Sequence, residues 1–209
     1  NFSMNNISGM WLLNPKTGQY IPYNPNESSK FIIPPFGGFI TKVESNENFL
    51  KIHNQAIYNQ EGNNHYIEKL HLTFKYEGGE DEVEVYFREN VTESIDEYDV
   101  YKVFSFGSAP DLYCNVAQNE LSIVSLPLWQ DSVSLSLSYF AKNQSNYELK
   151  LNSIPTNVLR AELYDSNNEL LVDFVEDSTY YIQTQSENEE KTLTLKLYSF
   201  DLDILELKQ

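Results

Sequence analysis

Cysteine is almost missing from this chain: Cys114 stands alone in 209 residues. A single thiol excludes an internal disulfide and any zinc site built on paired cysteines, so its expected role is that of a small buried apolar side chain. Histidine is scarce as well, with only His53, His65 and His71, and surface imidazoles are the expected reading. Basic residues are outnumbered, 14 Lys and Arg against 31 Asp and Glu, which gives a formal net charge of -17. A field of that sign repels phosphate backbones and anionic membrane surfaces, which argues against nucleic acid as a partner. Long apolar runs are lacking. The longest are strand length, too short for a membrane-crossing helix or a signal peptide. No Gly-x-Ser-x-Gly elbow occurs, since Phe106-Gly-Ser108 leads into Ala-Pro instead, and a serine hydrolase is not expected.

What is present is alternation. From Ser132 to Tyr139, apolar Val133, Leu135, Leu137 and Tyr139 are interleaved with serines, a period of two that only a β-strand with one buried face explains. The same period returns in Leu70–Phe74, Val83–Phe87, Leu159–Leu163 and Leu193–Leu197, with turn residues between. Hydrophobic residues make up 41% of the chain, enough to fill sandwich cores without metals or disulfides. The expected fold is all-β, with antiparallel β-sandwiches.

Trp11-Leu-Leu13 and Tyr20–Tyr23, separated by Asn14-Pro-Lys-Thr-Gly18, read as a hairpin, and Pro22 marks the second strand as an edge. Pro34-Pro35 and Gly37-Gly38 suggest a bend, further strands are expected near 49–58, 67–76 and 82–88, and Gly78-Gly79 reads as a tight hairpin between the last two. Residues 89–99 are an acidic stretch without alternation. After Leu121 the strands become shorter and more regular, with turns near 143–146, 165–168 and 186–188. A boundary is therefore expected near residue 117, with a jelly-roll-like sandwich over 1–117 and an immunoglobulin-like sandwich over 118–209.

Several phrases, taken in order, carry a resemblance: Thr17-Gly-Gln-Tyr20, Ile33-Pro-Pro-Phe-Gly-Gly-Phe39, Tyr86-Phe-Arg-Glu89, Asp96–Lys102, Ala109-Pro-Asp-Leu-Tyr113 and Leu121–Pro127. Together they resemble the β-rich C-terminal region of large secreted and cell-surface proteins of Bacteroidota, the part that precedes the type IX secretion sorting domain. The resemblance implies export to the outer-membrane cell surface within a larger polypeptide, and it implies no catalytic residues. The opening Asn1–Asn6, without an initiator methionine, is expected to be a cut into such a longer protein. Partners would then be neighbouring domains or other surface proteins, and the expected role is a non-catalytic structural or adhesion module.

Two constellations add alternatives. Glu93, Asp96, Glu97 and Asp99 put hard oxygen ligands on one short irregular segment, and Glu93, Asp96 and Asp99 are the set expected to hold any calcium ion, without fitting the EF-hand spacing. A solvated acidic loop pinned by Ile95, Tyr98 and Val100 is the plainer reading. Trp11 and Trp129 are the residues a carbohydrate-binding module would use to stack on a glycan, helped by Tyr20, Tyr23 and Phe36. Core packing is the ordinary fate of such rings. Asp131-Ser-Val133 and Asp177-Ser-Thr179 resemble the short O-glycosylation sequon of the same phylum. An enzyme is not expected, because no nucleophile, base or metal set is positioned by any motif.

Overall fold

The computed structural model describes residues 2–3, 7–14, 17–24, 38–43, 51–52, 69–77, 79–89, 91–96, 98–129 and 131–199. Among these residues the backbone is strand, turn and loop, with no helix long and apolar enough to cross a membrane. The first strands are β1 (Phe2–Ser3), β2 (Ile7–Leu13), β3 (Tyr20–Tyr23), β4 (Phe39–Val43) and β5 (Lys51–Ile52). Next come β6 (Lys69–Tyr76), β7 (Gly79–Arg88), β8 (Val100–Tyr101), β9 (Asp111–Val116) and β10 (Asn119–Pro127). The last are β11 (Ser132–Ala141), β12 (Asn146–Ser153), β13 (Val158–Tyr164), β14 (Leu170–Asp173), β15 (Thr179–Gln183) and β16 (Glu189–Ser199).

The hairpin read from Trp11 and Tyr20 is present. β2 pairs antiparallel with β3, Pro22 lies opposite Trp11, and β3 is an outer strand of the sheet β3-β2-β4, where a missing N–H costs no ladder bond. β1 and β5 form a separate pair. The remaining strands make one eleven-stranded sheet in the order β14-β13-β16-β11-β9-β10-β7-β6-β12-β15, with β8 added beside β10. The β6–β7 hairpin closes with Tyr76 opposite Gly79, whose φ of 144° is left-handed backbone. The proline-rich bend at 34–35, Phe36, Gly78, Glu97 and the expected strand beyond Ile52 lie outside the described residues, as do His53 and His65.

The sheet is mixed rather than antiparallel throughout, which corrects the expectation. β7 and β10 run parallel, with Ile123 opposite Glu84 and Pro127 opposite Arg88. A parallel neighbour needs a crossover rather than a hairpin, and the connection from Arg88 to Asn119 contains β8 and β9. Strands on both sides of residue 117 are interleaved: β12 pairs with β6, β11 pairs with β9, and residue 117 itself is in the turn joining β9 to β10.

The inward faces of β6, β7 and β12 meet those of β11, β13 and β16 in one buried cluster. Phe74 sits at its centre, 4.8 Å from the ring of Tyr147 and 4.9 Å from that of Tyr139. Leu72, Leu137, Leu149, Leu163 and Leu195 fill the space around it, all essentially without exposure; each such side chain contributes about 1.5–3 kcal/mol by leaving water. A second, smaller cluster joins Trp11 to Tyr86, Val100 and Ile123, and it fastens the three-stranded sheet to the large one.

Candidate functional site

The chemistry-bearing side chains gather where the large sheet divides. β10 pairs with β9 through Asn119–Leu121 and with β7 only from Ile123 onward, so the first residues of β7 face β9 without β10 between them. Asp81 lies here, two residues before inward-facing Val83 and four before Val85, and is fully buried. The ammonium of Lys102, equally buried, donates to Asp81 Oδ2 and lies 3.4 Å from Asp111 Oδ1. The N–H of Leu112 donates to Asp81 Oδ2 at 2.6 Å, and that of Ser105 to Asp111 Oδ1 at 2.7 Å. Lys142 completes the row, with Nζ 3.3 Å from Asp111 Oδ2 and a hydrogen bond to the Ser105 carbonyl. Burial pushes the Asp81 carboxyl upward, against the pull of Lys102. Two ammonium groups and two carboxylates thus balance each other, with the side chains of Asp81, Lys102 and Asp111 fully buried and Lys142 at the rim, which is the condition for burying charge.

This seam ties down the segment from Lys102 to Pro110. Its Lys102 N–H donates to the Glu120 carbonyl at 2.8 Å, and Tyr76 donates its hydroxyl hydrogen to the Ser108 carbonyl at 2.7 Å. Gly107 approaches the 17–18 turn so closely that an added Cβ would stand 2.6 Å from the Thr17 carbonyl oxygen. Phe106 packs edge-on against Tyr20 at 6.0 Å.

Register then decides what lies next to this segment. Asp111, Phe140 and Glu190 are cross-strand neighbours on β9, β11 and β16, as are Tyr113, Ser138 and Thr192 one step along. Both rows point away from the main core, because Leu112, Tyr139 and Leu193 occupy the alternate positions. Phe104 packs edge-on to Tyr113 at 5.4 Å. Between these groups is a cleft of about 380 Å³, whose remaining lining includes Glu120, Lys142 and Ser105. The Tyr113 hydroxyl donates to Glu190 Oε1. Burial, followed by Glu190 and Glu120, raises its pKa well above the usual phenol range. Along the second row, Asn115 donates to Ser138 Oγ at 2.8 Å, and Ser138 shares a hydrogen with Thr192 at 2.7 Å.

The residues singled out from sequence lie elsewhere. Asp99 is buried, its Oδ1 accepting the Ser125 N–H at 2.7 Å and its Oδ2 the Asp96 N–H at 2.9 Å. Asp96 Oδ1 accepts from the Tyr98 N–H at 2.9 Å, while Glu93 is exposed. A cation at these carboxylates would compete with three backbone donors, and no group of three or more His, Cys, Asp or Glu side chains converges on a metal position among the described residues. Trp11 is 2% exposed, with its indole N–H donating to the Tyr101 carbonyl at 2.9 Å. Trp129 is half-buried, with its ring 5.8 Å from that of Phe87. The two tryptophans belong to different clusters. His71 faces Glu82 at 3.0 Å across the β6–β7 pair. Burial drives the Cys114 thiol up to about 12, so it stays protonated and unreactive at neutral pH. Ser132 and Ser178 of the two short sequons are exposed.

Sequence reasoning missed the seam. A signal was available for Asp81: its spacing to Val83 and Val85 puts a carboxylate on an inward parity, which demands a buried partner. Nothing local marks Lys102 as that partner. No protein family, no curated protein and no solved structure matches this chain.

Proposed function

We propose that this chain is a non-catalytic structural and interaction module of an exported bacterial surface protein, holding neighbouring domains or docking other surface proteins. The observation that carries the reading is the use made of its most deeply placed charges. Asp81, Lys102, Asp111 and Lys142 are engaged with one another and with backbone groups across the division of the sheet, as befits a stiff scaffold. The resemblance of its phrases to the region ahead of type IX sorting domains supports the location at the cell surface. The outermost strands of the large sheet supply docking edges: β14 carries Leu170, 56% exposed, and β15 carries Tyr181, 67% exposed. On this reading the curled sheet is a β-sandwich, with its most immunoglobulin-like part in the antiparallel strands β11 to β16.

The test joins the chain to a type IX sorting domain in a Bacteroidota host and assays the displayed protein on polysaccharides and peptides. Folded, protease-resistant display without turnover is the expected result. Cleavage of a glycan or peptide that is abolished by replacing one carboxylate, with the fold intact, would overturn the reading. Glycan binding lost in Trp129→Ala would instead identify a carbohydrate-binding module.

A further inference from the structure

The cleft between Phe104 and the outer face of β9, β11 and β16 is not needed to close the core. Its walls are aromatic, from Phe104, Tyr113 and Phe140, and its charge is acidic, with Asp111, Glu120 and Glu190 set against Lys142 alone. Lys142 is already committed to Asp111 and to the Ser105 carbonyl, and Asp111 is fully buried. That leaves Glu120 and Glu190, both exposed, as the charges a ligand meets first. They flank Tyr113, whose hydroxyl donates to Glu190 Oε1. Independently, the Ser105 hydroxyl is buried and lacks a hydrogen-bond partner among the described residues, although Ser105 lines the cleft. An unpaired buried hydroxyl is costly, and a ligand hydrogen-bond donor would satisfy it.

We infer that this cleft binds the guanidinium group of an arginine side chain presented by a partner protein. A planar guanidinium stacks on aromatic faces, carries five N–H donors and pairs with carboxylates. The volume of about 380 Å³ accommodates one such side chain with its neighbouring backbone. The net charge of -17 adds a long-range attraction for a basic partner. The inference deepens the interaction-module reading and rests on it for the existence of a partner, while the chemistry of the cleft stands on its own residues.

The experiment titrates the full chain with acetyl-Gly-Arg-Gly-amide by NMR, beside the uncharged citrulline analogue. Saturable binding of the arginine peptide alone is expected, with shifts centred on Phe104, Tyr113 and Phe140. Binding should weaken by about tenfold in Glu120→Gln/Glu190→Gln, which removes both charges but keeps a partner for Tyr113. It should weaken in Phe104→Ala and remain unchanged in Glu176→Gln, which removes an exposed carboxylate elsewhere. Absence of saturable binding, equal binding of the citrulline peptide, or an equal loss in Glu176→Gln would overturn the inference. Failure here without catalytic turnover leaves the module reading standing, whereas carboxylate-dependent turnover ends that reading whatever the peptide does.

Discussion

At the scale of single residues, parity along a strand explains which charges are structural. Glu82 and Glu84 alternate outward from Val83 and Val85, and both find partners across the β6–β7 pair: Glu82 meets His71, and Glu84 meets Lys69. The hydrogen bond from His71 holds the Glu82 carboxyl below its ordinary value of 4.5, with burial opposing. A carboxyl that holds its proton less tightly when folded stabilises the fold above its unfolded pKa, and that contribution is lost as pH falls through the depressed folded value. Glu82→Gln should therefore lower the melting temperature at about pH 6, by no more than about 1 kcal/mol equivalent given partial solvent exposure, and the gap should close as pH falls through the depressed Glu82 value. A gap that widens on acidification would contradict the assignment. These outward pairs were legible as polar faces. The inward Asp81 was legible only as an anomaly, because its partner Lys102 comes from a loop that no periodicity describes.

At the scale of elements, strands with strict alternation were readable almost to their ends. Ser132–Tyr139 lies within β11, and Leu193–Leu197 lies within β16. Alternation failed where the backbone bulges. The β13–β16 register shifts between Val158 and Arg160, so Val158 turns inward and Leu159 is left 46% exposed. The β9–β10 hairpin was hidden for a different reason. Its two turn residues, Ala117 and Gln118, have φ of 48° and 68°, a left-handed pair for which Asn-Gly is the usual sequence signal. The boundary expected near residue 117 rests instead on the shorter, more regular strands after Leu121. Ala117→Asn/Gln118→Gly should relieve the strain and stabilise the protein by about 1 kcal/mol or more, read as a higher midpoint in urea at unchanged slope. A lower midpoint would show that these side chains contribute more than their backbone conformation costs. The carboxylates at 93–99 were readable as a cluster, but Asp99's engagement with Ser125 N–H on β10 was not, since that contact depends on tertiary structure.

At the scale of the whole molecule, a single sheet takes strands from both halves of the chain, and the seam of Asp81, Lys102, Asp111 and Lys142 lies where they divide. Two sandwiches meeting near residue 117 and one interleaved sheet behave differently on heating. Composition and alternation establish an all-β protein but leave strand order open, because alternation reports which face is buried and not which neighbour is paired. The functional reading shares this dependence, since a scaffold that presents edges and a cleft has to act as one rigid unit. Differential scanning calorimetry of the full chain and of Lys102→Met tests it most directly. Removing one partner from a buried ion pair costs about 3–5 kcal/mol. The interleaved sheet predicts one transition, with equal calorimetric and van't Hoff enthalpies, that moves down as a whole in Lys102→Met. Two separable transitions, with only the first shifted by the substitution, would contradict it.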